Sequence, residues 1–178
     1  MRSKPSSLLT SRALPGAQDA ASRWTDPARP VRLAPQRKGG QAMHPTISTL
    51  QQVVASGEDS RIAALLAEEV RFLPPTYWAT WTGRAPVAAV LGHVGQVFSD
   101  FRYRRVMGAG RDWALEFECK IGDLDAVGVD LLTLDDDGLI AVFEVAMRPL
   151  KSVAALRAAM NERVQGDPRF LAYRDALR

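Results

Sequence analysis

The chain has 178 residues, 47% of them apolar and 24% charged, with a formal net charge of +3; this suffices for one domain with a real core and not for two comfortable ones. No apolar run approaches the roughly 20 residues of a membrane span, the lone Cys119 excludes an internal disulfide, and two histidines, His44 and His93, form no cluster with metal-ligand spacing. The basic balance belongs to one end: residues 1–42 hold eight Lys/Arg against two Asp, a net of +6, whereas residues 43–178 hold fifteen Lys/Arg against eighteen Asp/Glu, a net of −3. A mildly acidic domain argues against a nucleic-acid surface, so neither nucleic acid nor a membrane is an expected partner, and no metal or cofactor is expected.

Residues 1–42 are rich in Ser, Pro, Gly, Arg and Ala and show no sustained apolar period. Such a segment cannot bury enough apolar surface to offset its ordering entropy and is expected to be disordered. Its Arg/Ser-rich, acid-poor opening has the composition of an organelle transit peptide, but Met43 stands just where a helical pattern begins, so it reads rather as an over-extended start or a linker. It lacks a secretory apolar region, and a cytoplasmic location is expected.

The domain is expected over 43–178. From Pro45, a good first-turn residue, Ile47, Leu50, Val53 and Val54 make a helical stripe that ends at Gly57. Asp59 or Ser60 is expected to cap a second helix carrying Ile62, Leu65 and Leu66. Val70–Pro75 reads as a strand stopped by its two prolines, followed by an aromatic loop or short strand, Tyr77-Trp78-Ala79-Thr80-Trp81. Gly83 starts a third helix with Val87, Val90, Leu91, Val94 and Phe98 along one face.

Two strands follow, Phe101–Met107 and Trp113–Ile121, joined by Gly108-Ala109-Gly110-Arg111. The G-x-G there is a weak phosphate signal, because no helix follows to supply an N-terminal dipole. In the second strand Trp113, Leu115, Phe117, Cys119 and Ile121 alternate with Ala114, Glu116, Glu118 and Lys120, one face for the core and one polar. Val127–Leu134 and Leu139–Met147, separated by Asp135-Asp136-Asp137-Gly138, form a hairpin that is largely apolar on both faces and so needs cover on both. Beyond Pro149, Ser152 is expected to cap a helix with Val153, Leu156 and Met160 in line, closed by Gly166 and Pro168; Phe170, Tyr173 and Leu177 suggest a last amphipathic turn or two. The order is α+β, with helices packed on one face of a curved antiparallel sheet. The apolar residues on the other face call for a partner subunit, and a homodimer is expected.

One residue breaks the hairpin pattern. Asp130 shares a face with Leu132 and Leu134, where a carboxylate is costly unless it is hydrogen-bonded, paired or kept neutral. It is the candidate acid/base, against the plainer reading of a buried carboxylate bonded to a Tyr, Trp or Arg for structural reasons. Tyr77, Trp78 and Trp81 either line a pocket mouth or cap the core, and Phe143 and Met147 of the last strand are candidate ligand contacts. His93 lies off the apolar stripe of its helix and reads as a surface or flank residue. Glu116, Glu118 and Glu144 are expected on the outer, dimer-facing side, with Arg102, Arg104 or Arg148 as ion-pair partners. Cys119 reads as a small core residue.

Several stretches resemble the nuclear transport factor 2-like superfamily: Leu65-Leu66-Ala67-Glu68-Glu69-Val70, Trp81-Thr82-Gly83-Arg84, and Gly128-Val129-Asp130-Leu131-Leu132 through Asp137-Gly138. Phe143-Glu144-Val145 and Met147-Arg148-Pro149 bring the chain close to SnoaL-like members. The resemblance covers about residues 45–165. It implies a cone-shaped, cystatin-like α+β fold with the helices on the concave face of the sheet, a deep apolar pocket between them, and a homodimer. The superfamily includes isomerases, cyclases, epoxide hydrolases and non-catalytic binding modules, so fold alone does not name an activity. Asp130 falls where the ketosteroid isomerases place an acid that stays protonated. The position of their general base is Pro74 here, and the tyrosine of their first helix is matched by Leu50, so two of three groups are missing and steroid isomerisation by that mechanism is disfavoured. The expectation is a protein that binds a small, mostly apolar molecule and is a cofactor-free isomerase, cyclase or hydrolase using Asp130. The alternative is a non-catalytic homodimeric binding or assembly module of the same fold.

Overall fold

The computed structural model describes residues 42–176; apart from Ala42, the tail expected to be disordered lies outside them, as does Leu177. In order the elements are α1 (Pro45–Ser56), a 3₁₀ segment (Asp59–Leu65), β1 (Leu66–Leu73), β2 (Trp81–Thr82), α2 (Arg84–Val97), β3 (Phe98–Ala109), β4 (Asp112–Ile121), β5 (Leu124–Leu134), β6 (Ile140–Arg148), α3 (Leu150–Gly166) and α4 (Pro168–Ala176). The strands form one open six-stranded sheet in the order β2-β1-β6-β5-β4-β3. From β3 to β6 it is an antiparallel meander, and β1 joins β6 in the one parallel pairing. This is the expected α+β fold, with the helices against one face of the sheet, here called the inner face.

Local chemistry explains most boundaries. His44 caps α1 by accepting the Thr46 N–H on Nδ1, and the helix ends at Gly57, whose φ of 69° is left-handed. The β5–β6 turn closes on Asp135, whose Oδ1 accepts the N–H groups of Asp137 and Leu139. Gly138 in that turn has φ 77°, and its carbonyl accepts the Thr46 hydroxyl at 2.5 Å. A Cβ at Gly138 would meet the His44 ring at 2.8 Å, so the tip of the central hairpin and the start of α1 fit only with a glycine between them.

Other expectations are corrected. The second helix is only the short 3₁₀ segment, without a side-chain cap, and Leu66 already belongs to β1, which runs to Leu73 rather than from Val70 to Pro75. An irregular register between Leu66 and Arg71 against β6 buries Leu66 and Val70 four residues apart, so the strand carries helical spacing. Phe98 opens β3 instead of ending α2. Ser152 is not the cap of α3, which begins at Leu150; it is buried in the first turn, where its hydroxyl donates to the Asp125 carbonyl at 2.7 Å. That bond ties α3 to the turn leading into β5.

Candidate active site

The inner face of the sheet is built in rows of side chains. One row crosses all six strands: Trp81, Phe72, Phe143, Leu132, Trp113 and Gly108 stand at successive register positions. In the next row Asp130 lies between Leu115 on β4 and Val145 on β6. In the third, Met147, Gly128, Phe117 and Tyr103 follow one another from β6 to β3. A Cβ on Gly128 would overlap the end of the Phe117 ring, so the glycine makes room for that ring to lie across β5.

Strand β3 is bent to meet this face. Its register against β4 slips twice, between Ser99 and Arg102 and between Tyr103 and Arg105, and Asp100 in the first slip has φ 51°. The slips bring Phe101 and Tyr103 inward beside Phe117. The rings of Phe101 and Phe117 stack with centroids 5.0 Å apart, and Tyr103 meets Phe101 edge-on, also at 5.0 Å. Phe72 and Phe143 meet edge-on at 5.7 Å.

Between these rings and the helices is a cavity of about 610 Å³, within the range of small-molecule sites. Helix α1 contributes Leu50 and Val54, α2 Leu91 and Val94, and α3 Leu156. The wall also holds Phe143, Val145 and Met147 of β6. Among the described lining residues only Asp130 and Tyr103 titrate.

Asp130 is 5% exposed. The Tyr103 hydroxyl donates to its Oδ2 at 2.9 Å, and no other hydrogen bond to its side chain occurs among the described residues, so Oδ1 has no protein partner there. Burial without a counter-charge penalises the carboxylate and pushes Asp130 from 3.8 up to about 7, against the opposing effect of the Tyr103 bond. The same burial, with the Asp130 charge and the shared hydrogen bond, raises Tyr103 well above the ordinary phenol value. Near neutral pH the site therefore holds a carboxyl able to give or take a proton beside a phenol that keeps its own. Cys119 is buried at the edge of this face, and burial, aided by the Asp130 charge, pushes its thiol up to about 12. At that value it is a packing residue and no nucleophile.

Three expected ligand contacts stand elsewhere. Tyr77, Trp78 and Trp81 are absent from the cavity wall. Trp78 is 100% exposed at the loop between β1 and β2. Trp81 donates its indole N–H to the Tyr77 hydroxyl at 2.6 Å and packs edge-on against Phe170 of α4. Sequence composition announces large rings here but not their direction, and β2 turns Trp81 toward α4. Pro75, beside the expected Pro74, lines the cavity, as does Leu50, so no base appears at either position.

His93 is less exposed than expected. Its Nε2 lies 3.0 Å from Asp167 Oδ2 at the α3–α4 corner, Nδ1 is buried with no partner among the described residues, and the ring packs against Phe170. Arg169 also binds Asp167 and, as the largest cause, holds its carboxyl well below the usual range. On the outer face Arg102 pairs with Glu118, Arg104 lies between Glu118 and Glu116, and Arg105 pairs with Glu116. The second slip of β3 places Arg104 and Arg105 together on that face, and the Arg105 bond lowers the Glu116 carboxyl.

Tyr103, Phe101 and Phe117 were not singled out from the sequence. The available signal is the alternation of Phe101 and Tyr103 with Arg102 and Arg104, which marks an aromatic inner face and a basic outer one.

Comparison with known proteins agrees with this fold. The SnoaL-like domain family model matches residues 47–143. A crystal structure from Silicibacter pomeroyi, an uncharacterized protein conserved in bacteria with a cystatin-like fold, is 71% identical, covers 76% of this chain and 96% of its own, and superposes with a TM-score of 0.74. A steroid delta-isomerase from Pseudomonas aeruginosa is 32% identical over 68% of this chain and 90% of its own, with a TM-score of 0.66. A protein of unknown function from Burkholderia xenovorans LB400, 18% identical over 57% of this chain and 79% of its own with a TM-score of 0.52, shares the fold alone. No curated protein matches the sequence.

Proposed function

The chain belongs to the SnoaL-like domain family, and from that premise we propose that it binds a small, mostly apolar molecule and acts on it by cofactor-free proton transfer, with Asp130 as acid and base. One observation carries this reading: an ionisable carboxyl with one oxygen unpartnered among the described residues, on the wall of a mostly apolar cavity whose other polar side chains are Ser56, Gln96 and Tyr103. Phe143 and Met147 pack against the guest, and Asp130 meets its polar group. The 32% identity to a steroid delta-isomerase supports an enzyme of this kind.

With one carboxyl in the wall, the proton balance favours some reactions over others. In isomerisation the proton taken from one carbon returns to another, and in an intramolecular cyclisation it passes to the new alkoxide; both close on a single group. Hydrolysis asks for a base on water and an acid on the leaving group together. The test is proton exchange: a panel of β,γ-unsaturated cyclic ketones is incubated with the protein in D₂O and followed by NMR. Deuterium entering beside the carbonyl, and its loss in Asp130→Asn, is the expected result. No exchange with any ketone, together with native mass spectrometry showing no co-purified molecule, would refute the reading.

We also propose that the outer face of the sheet joins two copies. Leu131 is 40% exposed and Met107 46% exposed there, beside half-buried Val127, Val129 and Val142, an apolar stretch that a monomer would leave in water.

A further inference from the structure

The reading above uses Asp130 and leaves the role of Tyr103 open. Resting on that reading, we propose that Tyr103 is the positioning residue of the site: its phenol holds Asp130 by Oδ2, so that Oδ1 alone faces a neutral, largely hydrocarbon ligand, donating a hydrogen bond to its carbonyl when protonated and, when charged, taking the proton from one carbon that it then returns to another.

The asymmetry follows from the donor. Tyr103 donates to Oδ2, so when Asp130 is neutral its own proton resides on Oδ1, the oxygen without a protein partner among the described residues. When Asp130 is charged, Oδ1 is again the free acceptor. One atom thus serves as acid in one form and base in the other, and the ligand's carbonyl or α-carbon needs to approach one point only. A carboxyl without that anchor is free to present either oxygen, and each orientation serves one geometry.

The anchor is itself rigid. The Tyr103 ring is held edge-on by Phe101, Phe101 stacks on Phe117, and Phe117 lies in the space left by Gly128. The two register slips in β3 place Tyr103 in the row next to Asp130's. In electrostatic terms the bond favours the carboxylate and offsets part of the burial that raises Asp130, which keeps both protonation states populated near neutrality.

The test reads Asp130 directly and needs no ligand. With the carboxyl carbons of aspartate labelled with ¹³C, the Asp130 resonance, assigned by its loss in Asp130→Asn, is titrated in wild type and Tyr103→Phe. Losing a hydrogen bond to a charged group is expected to raise the midpoint by about one pH unit, a tenfold change in acid constant. Uniform incorporation of 3-fluorotyrosine, which preserves the ring's shape and strengthens its donor, covers the case in which Tyr103→Phe folds poorly and is expected to move the midpoint down. Binding of 6-propionyl-2-dimethylaminonaphthalene, a neutral aromatic ketone whose emission reports hydrogen bonding to its carbonyl, is followed over the same pH range. Its profile is expected to track the carboxyl midpoint in each protein and to be flat in Asp130→Asn. An unmoved midpoint in Tyr103→Phe, or a binding profile that ignores the moved one, overturns the role of Tyr103. Failure of the ketone to bind wild type counts against the proposed function instead, and the carboxyl titration still decides whether Tyr103 holds Asp130.

Discussion

Gly128 on β5 and Phe117 on β4 are register partners, and the end of the Phe117 ring occupies the place where a β-carbon on residue 128 would stand. The ring is a wall of the cavity two positions along the sheet from Asp130. Gly128→Ala is therefore expected to push Phe117 out of its rotamer or shift β5, at about 1–3 kcal/mol, the usual range for overpacking a closed core. Urea unfolding measures the loss. Adding Phe117→Leu should recover part of it, because the shorter side chain yields the contested volume; two independent, additive losses would show that the pair does not act as one unit.

Asp130 makes stability depend on pH in an uncommon direction for a carboxyl. Unfolded, it titrates near 3.8, and folded, near 7. Between those values the native state keeps a proton that the unfolded chain has released, so stability falls as pH rises from about 4 to 7 and levels off above. At about 1.4 kcal/mol per pH unit the fall is at most about 4 kcal/mol. Asp130→Asn should flatten this slope and leave a protein more stable than wild type at pH 8, as read from denaturant midpoints. Asp167, depressed chiefly by Arg169, works in the opposite sense: its contribution is present above the ordinary carboxylate range and is lost on acidification below it. The two effects occupy separate windows, so a titration above the ordinary carboxylate range reads Asp130 alone, and its extension into strong acid reads Asp167.

Among the described residues, α4 is held chiefly by the Phe170 ring, with Tyr173 beside it, and by a polar bond at its N-terminal end. Phe170 is buried among Trp81, His93 and Tyr173, and Asp167 meets His93 just before it. Phe170→Ala is expected to destabilise the chain by about 3 kcal/mol and to change the fluorescence of Trp81. Asp167→Asn should raise amide exchange over Pro168–Ala176 while leaving protection in β5 and β6 unchanged. Equal loss of protection in the sheet would show that this corner is part of the main core.

The outer face supplies the assembly test. Leu131→Arg puts a charge into the apolar stretch beside Met107. Sedimentation equilibrium of wild type should give twice the chain mass, and the variant should give the chain mass with an unchanged far-ultraviolet spectrum. A monomeric wild type would remove the proposed interface.

How much of this was legible varies with how regular the local geometry is. Asp130 stood out because β5 alternates without a slip from Leu124 to Thr133, so a single charged residue in an apolar set has one direction to point. The same regularity made Phe143 and Met147 readable as one face. Tyr103 did not stand out, since its alternation with Arg102 and Arg104 is a short run with a register slip on either side. The expected second helix failed for a related reason: its stripe of Ile62, Leu65 and Leu66 runs into β1, whose irregular pairing buries both Leu66 and Val70, and the sheet overrode the helix propensity of Ala67, Glu68 and Glu69. Trp78 and Trp81 show another limit. Residue type foretells that a ring wants cover but not which neighbour provides it, and here the neighbour of Trp81, Phe170, is far along the chain.

The parallel pairing of β1 with β6 has a consequence for how the protein comes to exist. The meander from β3 to β6 joins neighbours in the chain through tight turns and is able to zip up locally, whereas Phe72 waits for Phe143 until the intervening seventy or so residues have emerged from the ribosome. The hollow that would receive a guest therefore has one of its sides missing during most of synthesis, and the nascent chain acquires a place for its ligand only when β6 is complete.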